Sequence, residues 1–230
     1  MQLKEIDKNI WIYDGSTVNF YGLPYSTRMT VIRLSNGNLW IHSPEKLNEE
    51  LKEELGNLGK VEHLISPNKL HHLFLPEWIS AYPDAKCYAS PGLIEKRQDI
   101  KFTKELSNMS EKEWVDEIEQ AVFQGSPVME EVVFFHISSK TLILTDLIEN
   151  FNPTAFNWWQ KPIAWFTGIL SPNGKTPIDW RISFLFGKAK ARIALDIMLG
   201  WRPKNIIISH GECIIDNGFE FLNKSFKWVK

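Results

Sequence analysis

The chain has 230 residues, of which 43% are hydrophobic, and its formal net charge at pH 7 is −2. This length and apolar content suit one α/β domain with a full core, so we expect residues 1–230 to form a single domain. A nucleic-acid surface needs clustered excess Lys and Arg, and the balanced charge argues against one.

The cysteines and the apolar runs bear on the compartment. Cys87 and Cys213 lie far apart and outside CxxC spacing, which argues against a zinc–thiolate site or a disulfide scaffold. The first residues are charged and lack the apolar stretch of a secretory signal. The sequence contains no run of about 18 apolar residues, so it predicts no transmembrane helix. We therefore expect a cytoplasmic protein, and the sequence gives no indication of its oligomeric state.

The first quarter of the chain predicts antiparallel strands followed by a helix. Apolar, β-prone runs cover 10–13, 29–34 and 39–42, and Asn36-Gly37 between the last two is a strong hairpin signal. Residues 45–58 carry leucines at spacings of three and four, which predicts an amphipathic helix that ends before Gly59.

Short strands and helices follow along the rest of the chain. Further strands are predicted at 61–66, 86–89, 132–136, 141–146 and 205–209. Helices are predicted at 75–82, where Pro76 suits the first turn, at 182–199, and after Ser110, which resembles the start of a capping box. This order predicts an α/β fold.

Candidate metal ligands follow three of the predicted strands. They are His71 and His72, then Asp146, then His210. Taken singly, a His after a strand can be a hydrogen-bonded loop residue, and an Asp there can be a cap or a turn former. Imidazole nitrogens with one carboxylate are nevertheless the ligands that suit zinc or iron with positions left open for water. Their joint occurrence favours a metal site.

These segments resemble the metallo-β-lactamase superfamily. Its usual pattern is a Thr-His-x-His-x-Asp-His loop, a later His, a strand ending in Asp and a last strand ending in His. The matching segments are Ser66-Pro67-Asn68-Lys69-Leu70-His71-His72, Thr145-Asp146 and Ser209-His210-Gly211. With the Glu-Val-Val-Phe-Phe-His block, they identify the chain as a member of a branch of unknown function. The resemblance covers most of the chain and implies an αββα sandwich of two mixed β-sheets flanked by helices.

The chain departs from the superfamily pattern at the first of its two metal sites. The first two His positions of the loop are Pro67 and Lys69, and the region of the later His, residues 125–130, contains no His. Proline has no side-chain ligand atom, and lysine is a poor ligand at neutral pH. The resemblance therefore implies a degenerate site that has lost its first metal.

At the second metal site, all four ligand positions hold residues that can bind a metal. The resemblance assigns its ligands to His71, which replaces an Asp, and to His72, Asp146 and His210, which together would hold one zinc or iron ion. Asp146 is also expected to orient the attacking water. Lys69 is a candidate catalytic residue whose ammonium would face a substrate oxyanion, although a solvent-facing lysine explains it equally well.

The sequence leaves the roles of three other polar residues undecided. Glu130 and Glu131 could add a ligand or a general base, or they could form a solvated turn. His136 lies inside a predicted strand, where we expect it to pack or to hydrogen-bond behind the ligands rather than to bind the metal.

The aromatic residues concentrate in one segment. Trp158, Trp159, Trp165 and Trp180 fall within residues 151–185, which we interpret as an insertion. An aromatic-rich core or pocket wall is the favoured interpretation, and an anchor at a membrane surface is the alternative.

Two functions of different class remain. The first is a metal-dependent hydrolase that attacks a small ester, lactone, thioester or phosphoester with a water bound to the metal. The second is a non-catalytic binding or scaffold module that retains the fold without a cofactor. A redox or iron-binding role is a third, weaker interpretation.

Overall fold

The first half of the chain forms a seven-stranded mixed sheet in the computed structural model, which describes residues 2–20 and 22–230. In spatial order its strands are β1 (Lys4–Asp7), β2 (Ile10–Asp14), β5 (Arg28–Arg33), β6 (Asn38–His42), β7 (Lys60–Ser66), β8 (Lys86–Ala89) and β9 (Lys104–Glu105). The first four are antiparallel and the last four parallel, with β6 common to both sets. A small hairpin of β3 (Val18–Phe20) and β4 (Leu23–Tyr25) lies outside this sheet.

A second, four-stranded sheet comes from the second half of the chain. Its strands, in spatial order, are β10 (Ile118–Phe123), β11 (Glu131–His136), β12 (Thr141–Ile143) and β13 (Asn205–Ile207). The β12–β13 pair is parallel and the others are antiparallel. β11 and β12, both predicted as strands, pair as an antiparallel hairpin.

The described residues form seven α-helices, and several of them cover the outer faces of the two sheets. They are α1 (Glu49–Leu58), α2 (Leu75–Ala81), α3 (Leu93–Lys96), α4 (Gln160–Thr167), α5 (Ile178–Ser183), α6 (Lys188–Gly200) and α7 (Gly218–Ser225). Leu51 of α1 and Trp78 of α2 pack on the first sheet, while Leu195 of α6 and Leu222 of α7 pack on the second. None of the helices in the described part of the chain has the length and apolar run needed to cross a membrane.

Side-chain alternation along the strands builds the layers. Val132 and Phe134 of β11 join the core between the two sheets, whereas Val133 and Phe135 join the core beneath α6 and α7. Because successive strand residues point to opposite faces, an apolar run buried on both sides marks a strand covered by two layers. The predicted αββα sandwich is therefore confirmed.

Three predicted helices differ from the structure. The helix predicted from residue 45 begins at Glu49, because the Asn48 side chain caps it by accepting the Leu51 N–H at 2.8 Å. The helix predicted after Ser110 was wrong, since residues 112–117 form turns.

The third difference is a break in the helix predicted at 182–199, which divides into α5 and α6. Gly187 lies in the break, and a Cβ there would stand 1.8 Å from the carbonyl oxygen of Gly125. Close contact between these two backbones therefore needs glycine at the junction.

Candidate metal centre

Three ligand-type side chains from separate strand ends meet at one edge of the sandwich. They are His71 from the loop after β7, Asp146 beyond β12 and His210 beyond β13. His71 Nε2 lies 3.4 Å from Asp146 Oδ2, and His210 Nε2 lies 2.9 Å from Asp146 Oδ1. One donor atom of each residue lies within 4.8 Å of those of the other two. We call these three residues the His–Asp–His cluster.

Hydrogen bonds on the far side of each ring orient the two imidazoles. His210 Nδ1 lies 2.7 Å from the Ser26 carbonyl oxygen, so Nδ1 carries the hydrogen and Nε2 faces Asp146. His71 Nδ1 lies 2.6 Å from the Ser43 hydroxyl, whose residue has a positive φ of 52°. Bonds of this kind fix the ring orientation of histidines that bind metals. Two Nε2 atoms and a carboxylate form a donor set that fits zinc or iron.

The electrostatics of the cluster favour a charged carboxylate. Burial alone would raise the pKa of Asp146, but the imidazoles of His71 and His210 outweigh burial and hold this pKa well below its usual range. Burial would likewise lower the pKa of His210, yet its hydrogen bond to Asp146 raises the pKa to about 9. His210 and Asp146 therefore form a buried ion pair at neutral pH.

Asn68 connects the histidine loop to the Asp146 segment. Its Nδ2 donates to Asp146 Oδ2 at 2.6 Å and to Thr145 Oγ1 at 2.9 Å. Its Oδ1 accepts the backbone N–H groups of Leu70 and His71 at 2.8 and 3.1 Å. The sequence reasoning missed this residue, although an Asn after a strand is a typical former of such turns.

Glu131 lies behind Asp146 as a fully buried acceptor. Its Oε1 accepts the Thr145 N–H at 2.7 Å, and its Oε2 accepts the Asp146 N–H at 2.8 Å. Burial and the Asp146 carboxylate raise the pKa of Glu131, and the two N–H groups oppose that rise. The solvated turn considered for this residue is wrong, and its contacts make it a support for the Asp146 backbone.

His72 is not among the three clustered residues. Its Nδ1 accepts from Arg97 Nη1 at 2.6 Å, and burial together with the cations of Lys96 and Arg97 lowers its pKa. The structure therefore brings three of the four predicted ligands together.

Lys69 lies outside the cavity above the cluster. It is exposed, and its Nζ would be 2.5 Å from a Cβ at Gly92. Lys96 instead lines the cavity, where its Nζ donates to the Lys69 carbonyl oxygen at 2.6 Å. The cation beside the cavity is thus Lys96, which the sequence reasoning did not select.

His136 and Glu130 lie apart from the cluster. The ring nitrogens of His136 lie 2.7 Å from the Ser139 hydroxyl and 3.2 Å from that of Ser138. Since His136 and Glu131 occupy opposite ends of β11, about 17 Å of strand separates them. The prediction that His136 lies behind the ligands is therefore wrong. Glu130 is partly exposed at the start of β11.

A cavity of about 290 Å³ opens over the cluster. Most of its wall is apolar and its polar groups are few, as is usual for small-molecule sites. Its lining residues are Val18, Tyr25, Thr27, Ser43, Pro44, Glu45, Leu70, His71, His72, Leu73, Phe74, Lys96, Asp146, Glu149, Trp180 and His210.

Two buried acids lie in the cavity wall beside Asp146. Burial raises the pKa of Glu45 to about 7 and that of Glu149 to about 8. Tyr25 donates a hydrogen bond to Glu149, and burial followed by this carboxylate raises the pKa of the phenol. Glu45 and Glu149 lie outside the matched motifs, and no local sequence pattern distinguishes them from other acidic residues of the chain.

The two mixed sheets, their flanking helices and the cluster at the strand ends define a metallo-β-lactamase fold. The DIM-1 metallo-β-lactamase is 17% identical with a TM-score of 0.68, over 99% of this chain and 95% of that one. The metallo-β-lactamase from Pontibacter korlensis is 11% identical with a TM-score of 0.64, over 99% and 98%.

Rubredoxin oxygen:oxidoreductase from Desulfovibrio gigas is 16% identical with a TM-score of 0.63, and the match covers 99% of this chain and 61% of that one. At these identities the likenesses show the fold alone. Residues 7–163 match the family described as Domain of unknown function (DUF4336), and the protein belongs to that family. No curated protein matches the sequence.

Proposed function

We propose that the protein is a hydrolase that uses one zinc or iron ion held by His71, Asp146 and His210. The observation that carries the proposal is the convergence of two oriented Nε2 atoms and one carboxylate at the base of the cavity. Pro67 and Lys69 offer no ligand for a second ion, which is why we propose a single one.

The metal, when bound, would supply Lewis acidity toward a water molecule and toward the carbonyl or phosphoryl oxygen of the substrate. The residues of this chain supply position and environment. Ser43 and the Ser26 carbonyl hold the imidazoles, while Asn68 and Glu131 hold the Asp146 segment. The apolar wall excludes bulk water, which strengthens electrostatic interactions inside the cavity.

The proposed substrate class is a small ester, lactone, thioester or phosphoester. A cavity of about 290 Å³ accepts a small molecule rather than a polymer segment. Asp146 is proposed to orient the attacking water. We transfer the oxyanion-facing role from Lys69 to Lys96, because Lys96 lines the cavity.

A non-catalytic binding module is the competing function. It is favoured by the direct contacts of Asp146 with both imidazoles, since the cluster then satisfies its own charges without a metal. Both functions retain the apolar cavity, and metal content separates them.

The test is the metal content of protein purified without chelator, measured by inductively coupled plasma mass spectrometry. We expect close to one equivalent of zinc or iron in the wild type, and its loss in His71→Ala and in His210→Ala. His72→Ala is the matched control and should retain the metal, because its ring nitrogen is bonded to Arg97.

Hydrolysis of a panel of chromogenic esters, a lactone, a thioester and a phosphodiester then addresses the reaction. We expect turnover of at least one substrate class, which is lost in His210→Ala. Wild-type protein that binds no metal even after zinc is added would eliminate the hydrolase and leave the binding module. Metal binding without any turnover would also count against the hydrolase.

A further inference from the structure

Helix α4 exposes apolar side chains on most of its surface. Its buried residues are Gln160 and Ala164, whereas Trp165 is 74% exposed and Trp158, just before the helix, is 84% exposed. An aromatic-rich core therefore does not explain these tryptophans. Of the four that cluster in sequence, Trp180 alone lines the cavity.

Exposed apolar residues continue onto α5 and the segment that follows it. Arg181 Nη2 of α5 donates to the Thr167 carbonyl oxygen at the end of α4, at 3.3 Å, so the two helices are neighbours. Groups of large exposed apolar side chains in a single chain often mark an interaction site. We define the aromatic patch as Trp158, Trp159, Ile163, Trp165, Phe166, Ile182, Leu185 and Phe186.

The segments that carry the aromatic patch are rich in basic residues. Residues 157–192 contain six Lys or Arg and one Asp, although the whole chain carries a net charge of −2. Lys161 on α4 and Lys190 on α6 are both exposed. Apolar aromatics and basic groups are thus concentrated in the same part of the molecule.

We propose that the aromatic patch is a docking surface for an anionic lipid bilayer. Tryptophan side chains favour the headgroup level of a membrane, where the ring is apolar and the indole N–H remains hydrated. Neighbouring lysines and arginines are attracted to anionic headgroups. Interfacial helices combine these two features without crossing the bilayer.

A second copy of this chain fits the patch less well. A twofold interface would place the same surface on both sides, and the basic residues of 157–192 would then face each other. Facing like charges disfavour association. An anionic bilayer neutralises this charge instead.

The test is flotation with vesicles of phosphatidylcholine alone and of phosphatidylcholine with about 30% phosphatidylglycerol. We expect the wild type to float with the anionic vesicles and to be released as salt rises, since salt screens the attraction. Trp158→Ala with Trp165→Ala should abolish flotation. Lys161→Glu with Lys190→Glu should weaken it at least about tenfold.

The matched control is Met109→Ala, which removes another exposed apolar side chain, 77% exposed, outside the patch. It should float like the wild type, and circular dichroism should show the wild-type fold in every variant. The proposal is overturned if the wild type ignores anionic vesicles, or if both double variants still bind them. It also fails if the patch variants abolish a dimer while the wild type shows no flotation.

Discussion

Replacing Glu131 with Gln tests whether this buried carboxylate holds the Asp146 segment. Its two oxygens accept the backbone N–H groups of Thr145 and Asp146 at 2.7 and 2.8 Å. Glutamine keeps one acceptor oxygen and turns an NH₂ donor toward the other N–H. One buried backbone donor therefore loses its acceptor, at a cost of about 1–3 kcal/mol.

Urea denaturation followed by circular dichroism measures this loss directly. We expect the midpoint of Glu131→Gln to fall while the slope stays unchanged, as for a change in stability alone. Because Asp146 is a proposed ligand, the variant should also bind zinc roughly 10–100-fold more weakly, which is typical of changes behind a ligand.

Glu130→Gln is the control, since it makes the same chemical change at the adjacent, partly exposed residue. It should alter the stability by no more than about 0.5 kcal/mol. Equal stabilities of the two variants would refute the role assigned to Glu131. A loss of stability without any change in zinc affinity would refute its link to the metal site.

Two further predictions concern stability away from the site. His63 is buried, and neither ring nitrogen has a hydrogen-bond partner among the described residues, although Glu62 Oε2 lies 3.5 Å from Nε2. Burial lowers the pKa of His63 from 6.5 to about 4. The unfolded chain binds this proton first as pH falls, so the stability present above about pH 6.5 declines toward pH 4 by about 3 kcal/mol. Urea midpoints across this range should fall less steeply in His63→Phe, and parallel profiles would contradict the assignment. Gly187→Ala should lower the melting temperature, because its Cβ would stand 1.8 Å from the Gly125 carbonyl oxygen. Gly56→Ala in α1, where a Cβ meets nothing within 4 Å, should instead stabilise the protein by about 0.5–1 kcal/mol. If both glycine variants are destabilised, the space available to the added Cβ does not determine the effect of the substitution.

Local patterns predicted most strands and the three residues of the cluster, and the resemblance to the metallo-β-lactamase superfamily implied the sandwich. Short apolar, β-prone runs identified most strands of both sheets, because a strand covered on both faces is apolar at nearly every position. The positions of His71, Asp146 and His210 directly after such runs followed from the same pattern. These strands belong to two different sheets, β7 to the first and β12 and β13 to the second, so only the packing of the sheets brings the three residues together.

The tertiary structure decided which of the adjacent polar residues belong to the His–Asp–His cluster or support it. His71 and His72 are equivalent as sequence neighbours, and they differ because Ser43 contacts one ring while Arg97 contacts the other. Glu130 and Glu131 form a similar pair. Only Glu131 is fully buried, because it lies beside the Thr145–Asp146 backbone and accepts both N–H groups. Contacts between distant segments carry no local signal.

The aromatic segment shows the same division. Composition placed four tryptophans within 151–185, but composition is the same for a core and for an exposed surface. Trp180 faces the cavity while Trp158 and Trp165 face solvent, because α4 contacts the rest of the molecule through Gln160 and Ala164. The sequence alone thus determined the layered fold and the three strand ends that carry the cluster. The packing of separate segments decided the ligand partners and the exposed aromatic patch.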